Sequence, residues 1–223
     1  MKMNQLISAV SHVGPVQQTF ASVIAPLKFM RPQATKPRFL SSALTGGAAE
    51  LLFETDAVDV QINDMRLFAD DLSIDHEGFA LVQHPTNVID LYDDAQVQAK
   101  YHPEIQGLLK RELGAGRVVI FDTTRRSDDG QGAANADGRR GPASRIHVDY
   151  TEKSGPVRLA DVVGGEEAQR LAASGTRVAQ VNVWRPINGP VERSPLTLAD
   201  AASINADDLI ATDQVFADRV GEI

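Results

Sequence analysis

The residue types best suited to chemistry in this chain lie in one stretch, Arg145-Ile146-His147-Val148-Asp149-Tyr150-Thr151. It is rich in β-branched and aromatic residues and follows a Gly/Pro/Ser loop, which predicts a short β-strand. Residues two apart on a strand share a face. His147 and Asp149 therefore project side by side, with Ile146, Val148 and Tyr150 on the opposite face. An imidazole and a carboxylate held this way are two corners of the two-histidine, one-carboxylate face that binds non-haem Fe(II) and leaves positions open for oxygen and substrate. With five histidines in 223 residues, a His-x-Asp triplet alone says little. On the triplet alone, a plain strand with one exposed His and one exposed Asp is the favoured reading, and the flanking sequence is what shifts it. A hydrolase using the pair as a proton relay would need a nucleophile, and none lies nearby in the sequence.

His102-Pro103-Glu104 is a second His-x-acid triplet, but Pro103 is placed to open a helix. Residues two apart on a helix diverge by roughly 200°, so joint chelation is not expected. Gly114-Ala115-Gly116 follows a helix and precedes a strand, the reverse of the order in dinucleotide-binding folds. No phosphate-binding loop of the Walker type and no Gly-x-Ser-x-Gly elbow is present.

The elements that must position His147 and Asp149 follow from patterning. Residues 1–25 read as a poorly structured extension and 26–223 as one domain. Residues 26–48 carry Pro26, Pro32, Pro37, Gly46 and Gly47 and read as extended segments and turns. Leu51 to Glu54 and Val58 to Ile62 predict a hairpin, Asp75 to Gly78 a turn, and Phe79 to Val82 a buried strand. Asp93 and Asp94 open a helical segment whose first turn favours acids. A second helix starts at Pro103, carries Ile105, Leu108, Leu109 and Leu113 at helical spacing and stops at Gly114. Arg117 to Asp122 predicts a central strand. Residues 127–143 predict a loop, either a lid or plain disorder. Gly155-Pro156 predicts a turn, Glu166 to Ala173 a helix ended by Gly175, and Arg177 to Ile187 a long strand closed by Pro186. Leu196 to Leu198 and Leu209 to Thr212 are further extended pieces. Strands, then helices, then strands favour a mainly β domain with flanking helices (α+β) over a doubly wound sheet.

Composition removes several function classes. A net charge of −8 argues against a general nucleic-acid binder, which needs a basic face. The absence of cysteine excludes disulfides, thiol catalysis and Cys-based zinc sites. No apolar run approaches the ~20 residues that cross a bilayer, so no membrane partner is expected. Residues 1–49 hold five bases and no acid, the first acid being Glu50. Arginine is absent before Arg31 and Pro15 would interrupt an amphipathic helix. A plain cytoplasmic extension is therefore favoured over a transit peptide.

Several blocks occur together in a familiar order. They are Asp75-His76-Glu77-Gly78-Phe79-Ala80-Leu81, Leu91-Tyr92-Asp93-Asp94, Tyr101-His102-Pro103-Glu104-Ile105, Val118 to Asp122, His147-Val148-Asp149-Tyr150-Thr151, Gly155-Pro156, Asn182-Val183-Trp184-Arg185-Pro186-Ile187 and Asp207 through Glu222. From about residue 26 onward this order resembles the CmcJ/NvfI-like oxidoreductases, also described as gibberellin-desaturase-like or cephem-methoxylase-related hydroxylases.

The resemblance implies a double-stranded β-helix (jelly roll) and an oxygenase that uses Fe(II) and 2-oxoglutarate to hydroxylate or desaturate a small natural product. It assigns His147 and Asp149 to the metal. Asn182, Trp184 and Arg185 fall in a family block. Arg185 and Asn182 are set beside the co-substrate, Arg185 either meeting a carboxylate or serving a structural ion pair, and Trp184 is expected in the core or cavity wall. Two departures carry consequences. Thr123 stands where many relatives are expected to have a histidine. No histidine follows His147, since His12, His76, His84 and His102 all precede it. Relatives are expected to continue through further strands carrying the second iron-ligand histidine. The last jelly-roll strands are then expected to be missing here, with activity impaired and sheet edges left open to self-association. The alternative is a non-catalytic binding or interaction protein that keeps the scaffold.

Overall fold

The computed structural model describes residues 21–46, 49–128, 141–143 and 145–223. Strands β1 (Ser22–Met30) and β4 (Thr55–Asn63) form a two-stranded antiparallel ribbon running in register from Ser22 opposite Asn63 to Met30 opposite Thr55. Arg31 clasps the ribbon's end, its amide donating to the Glu54 carbonyl at 2.9 Å and its guanidinium resting on Asp56 at 2.6 Å. β1 takes in Ser22 to Ala25, which patterning assigns to the extension, because the alternating Val58-to-Ile62 partner reaches back that far. The rest of the expected extension, residues 1–20, lies outside the described residues.

The second sheet has the order β3-β2-β5-β6, from β2 (Arg38–Leu40), β3 (Glu50–Leu51), β5 (Asp213–Val215) and β6 (Val220–Glu222). β2 and β5 are parallel and the outer pairs antiparallel. Phe39 at its centre is buried. Between β2 and β3 lies the short helix α1 (Ser42–Thr45). The expected Leu51–Glu54/Val58–Ile62 hairpin is corrected here. Both strands exist, but β3 pairs with β2 and β4 pairs with β1, because the three residues between them carry the chain from one sheet to the other.

The helical block begins where patterning places it. Asp93 caps α2 (Asp94–Gln96) by accepting from the amides of Ala95 at 2.8 Å and Gln96 at 3.3 Å. Bonds from the Gln96 side chain and amide and from the Ala95 amide hold the Asp93 carboxyl below its ordinary range. The block then runs without a break through a π-helical turn, Val97–Tyr101, into α3 (His102–Leu113). Pro103 therefore does not open a separate helix. It lacks an N–H and its ring crowds the carbonyl four residues back. The wider π turn ahead of it relieves both conflicts and keeps the helix continuous. Gly114 ends α3 with φ at 62°. Val88, Val97, Ile105 and Leu108 make up most of the buried apolar core.

Helix α4 (Ser154–Val163) replaces the expected Gly155-Pro156 turn, and α5 (Gly165–Ala173) follows through Gly164 at φ 88°. Proline is tolerated in a helix's first turn, so Pro156 marks a start. Arg117–Asp122, Phe79–Val82, Arg145–Thr151, Arg177–Ile187 and Leu196–Leu198 belong to no β-ladder among the described residues, and of Leu209–Thr212 only Thr212 is paired, exchanging backbone bonds with Ile223 at 2.8 and 3.0 Å beside β5 and β6. Alternation specifies an extended backbone and its two faces, but a strand also needs a hydrogen-bonding partner. Val119, Phe121, Val148, Val178 and Val183 are accordingly all 40% or more exposed. Most of the expected 127–143 loop lies outside the described residues.

Candidate metal centre

The stretch carrying His147 and Asp149 is tied at both ends. At its start, the Ile146 amide donates to the Lys28 carbonyl of β1 at 3.3 Å. At its end, Thr151 is built into the entry of α4. Its hydroxyl accepts from the amides of Lys153 at 3.2 Å and Ser154 at 3.1 Å, while its own amide donates to Ser154 Oγ at 2.9 Å. The same hydroxyl donates to Glu222 Oε1 at 2.6 Å. Lys36 Nζ lies 2.6 Å from Glu222 Oε2 and 2.5 Å from Asp213 Oδ1. The Lys36 ammonium, then the Thr151 hydroxyl, hold the Glu222 carboxyl below its ordinary value. Asp213, then Glu222, raise Lys36.

Between these anchors, His147 Nδ1 lies 3.0 Å from the Arg145 carbonyl oxygen. A carbonyl only accepts, so Nδ1 carries the proton and Nε2 presents its lone pair. Nε2 is 3.7 Å from Asp149 Oδ1, too long for a hydrogen bond. Asn182 Nδ2 donates to the other carboxylate oxygen, Oδ2, at 2.6 Å. Nε2 and Oδ1, neither hydrogen-bonded among the described residues, thus face one another across a gap. A single cation bound at about 2.0–2.2 Å to each would span it. The side-by-side projection expected of a strand is present even though no ladder among the described residues holds this stretch. The residues fit a metal as a partial donor set. Among the described residues no group of three or more His, Asp or Glu side chains could hold an ion.

The other sequence candidates are placed as follows. Asn182 is bonded to Asp149. The Arg185 guanidinium lies 5.4 Å from the Tyr101 ring centre and donates to the His84 carbonyl. Burial pushes the Tyr101 hydroxyl up. Trp184 is 49% exposed, so it is not a core residue. The His102 triplet splits as helix geometry requires. His102 Nε2 bonds Thr123 Oγ1 at 2.9 Å, while Glu104 takes bonds from Thr86 and Asn87.

Patterning missed two features. Lys36 and Glu222 are 186 residues apart, and nothing local signals their pairing. Arg145 packs over Phe39 and Phe53, with 4.9 and 5.8 Å to the ring centres. Burial alone pushes its guanidinium below the ordinary arginine value. No described helix is long and apolar enough to cross a membrane.

This arrangement meets known proteins at three levels. A family model described as "Oxidoreductase/YMDC permease-like domain" matches residues 27–223. The chain is 30% identical over 177 residues to Oxidoreductase AN1597 of Emericella nidulans, covering 76% of this chain and 59% of that protein. It is 30% identical over 189 residues to the Fe(II)/2-oxoglutarate-dependent dioxygenase nvfI of Aspergillus novofumigatus, covering 81% and 65%. Among solved structures, the iron and alpha-ketoglutarate-dependent endoperoxidase NvfI superposes with a TM-score of 0.72 at 22% identity, over 90% of this chain and 72% of that one. The chain spans 54–59% of the length of three of its curated relatives. On the family match across residues 27–223, and with the fold shared with NvfI, the chain belongs to the CmcJ/NvfI-like non-haem iron oxidoreductases.

Proposed function

We propose that this chain is an Fe(II)- and 2-oxoglutarate-dependent oxygenase that hydroxylates or desaturates a small natural product, on a jelly-roll scaffold. The observation that carries the reading is the facing pair, His147 Nε2 and Asp149 Oδ1, 3.7 Å apart with each residue's second polar atom already bonded elsewhere. Similarity to proteins named as dioxygenases and hydroxylase/desaturases supports it.

The bound iron and co-substrate would supply the oxidising power; the protein supplies orientation. The Arg145 carbonyl fixes the imidazole tautomer, so that Nε2 is available as a ligand. Asn182 fixes the carboxylate's rotation, so that Oδ1 faces the imidazole. Arg185, on the same extended segment as Asn182, is the guanidinium proposed to meet the co-substrate's carboxylate.

Two ligands hold a divalent ion far less well than three. The 223-residue chain is expected to bind Fe(II) weakly and to give little visible charge-transfer absorption with anaerobic Fe(II) and 2-oxoglutarate. Calorimetric titration with Zn(II) as a redox-inert stand-in tests the site directly. Binding should be lost in His147→Ala and in Asp149→Ala. Equal binding by wild type and both variants would overturn the assignment.

A further inference from the structure

We infer that Arg145 is the anion-recognition residue of a binding surface beside the metal site, and that the ligand it reads is an apolar organic acid. The inference rests on the oxygenase reading above only in calling that acid the substrate.

The first observation is charge. Arg31, Arg66, Arg125, Arg170 and Arg177, among others, each rest on a carboxylate. In a chain with 30 acids against 22 bases, such partners are plentiful. Arg145 is half-buried, yet it has no acidic or hydrogen-bonding partner among the described residues and only two phenyl rings beneath it. A half-buried cation without a counter-ion is costly, and a bound anion removes that cost.

The second observation is shape. A guanidinium lying over aromatic faces keeps its N–H edge open, and that edge matches a carboxylate through two parallel hydrogen bonds. The third is the platform. Phe39 is paired across β2 and β3 with Leu51, so their side chains share one sheet face, and Phe53 lies two residues on from Leu51. Leu51 is 41% exposed on that face. A cation seated on two phenyl rings, with an exposed leucine on the same sheet face, suits a hydrocarbon-bearing monocarboxylate. It suits 2-oxoglutarate poorly, because that molecule carries two carboxylates and little apolar surface. The position is the fourth. Arg145 lies two residues before His147, and its own carbonyl holds the imidazole, so an acid gripped there would lie near the metal ligands.

The test is an NMR titration of the metal-free 223-residue chain with cyclohexanecarboxylate, its uncharged amide, and 2-oxoglutarate. The carboxylate should shift the amides of Phe53 and Ile146, and the uncharged amide should not. Its affinity should fall about tenfold or more in Arg145→Gln, the loss expected for a charge-assisted bond, and be partly kept in Arg145→Lys. The titration is done without metal, which separates failure here from failure of the metal assignment. Equal binding of the carboxylate and its amide, equal carboxylate affinity in Arg145→Gln and wild type, or no shift in the wild-type chain would overturn the inference. A loss confined to 2-oxoglutarate would also overturn it, by giving the guanidinium to the co-substrate.

Discussion

Asp149 is exposed, and among the described residues a single side-chain bond, the 2.6 Å contact from Asn182, fixes its rotation. Removing that donor leaves the carboxylate free to turn while costing little packing, since Asn182 is exposed as well. Asn182→Ala is therefore expected to weaken Zn(II) binding by about 10- to 100-fold, the usual range for losing an outer-shell partner. The melting temperature should move little. Unchanged metal affinity in a folded Asn182→Ala chain would mean that Asp149 orients itself. The side-by-side placement of His147 and Asp149 was legible in the sequence because a spacing of two is a statement about side-chain direction in any extended backbone. Asn182 was legible only as part of a block. That it serves Asp149 depends on bringing together residues 33 apart, which no local pattern encodes.

Elements were legible where local chemistry alone decides them. Asp93 and Gly114 begin and end the helical block, and Gly78 closes its turn with φ at 84°. The two glycines make a comparison. An added Cβ at Gly114 meets nothing within 4 Å, whereas at Gly78 it meets the Ala201 Cβ at 3.2 Å. Gly114→Ala should cost about 1 kcal/mol from the positive φ alone. Gly78→Ala should cost measurably more in urea denaturation, because the neighbouring turn must also shift. Equal costs would show that the Ala201 turn yields freely. Strand pairing was not legible, because periodicity gives the face of a segment and not its partner. Arg117–Asp122 and Arg177–Ile187 illustrate this, being apolar and alternating yet outside any ladder among the described residues. Their amides should exchange with deuterium far faster than the bonded amides of β1 and β4. Open extended edges with exposed Val119, Phe121, Val178 and Val183 also invite pairing between copies. Sedimentation should then show concentration-dependent association, with exchange slowing at these segments as concentration rises. A monomer at all concentrations would remove that consequence.

At the scale of the whole molecule, Lys36 bridges Asp213 and Glu222, and Glu222 passes the tie to Thr151, two residues beyond Asp149. The direction of the pH dependence follows from the shifts. Lys36 and Thr151 lower the Glu222 carboxyl below its ordinary value of 4.5. Its contribution to stability is therefore fully present above that value and is lost as pH falls through the lower, folded one. Lys36 is raised above its ordinary value of 10.5, so its contribution persists up to that value and disappears only as pH climbs through the folded one. The tie should thus be intact throughout the neutral range and fail first in acid. Glu222→Gln keeps the size of the side chain and removes the charge. The variant should be less stable than wild type at neutral pH, and the two should converge as pH drops below 4.5. Since Glu222 also holds the hydroxyl that starts α4, Zn(II) affinity measured at neutral pH should fall with it, and Thr151→Ser should retain it. Parallel stability curves for wild type and Glu222→Gln across the acid range would show that this bridge contributes nothing to holding the ligand stretch in place.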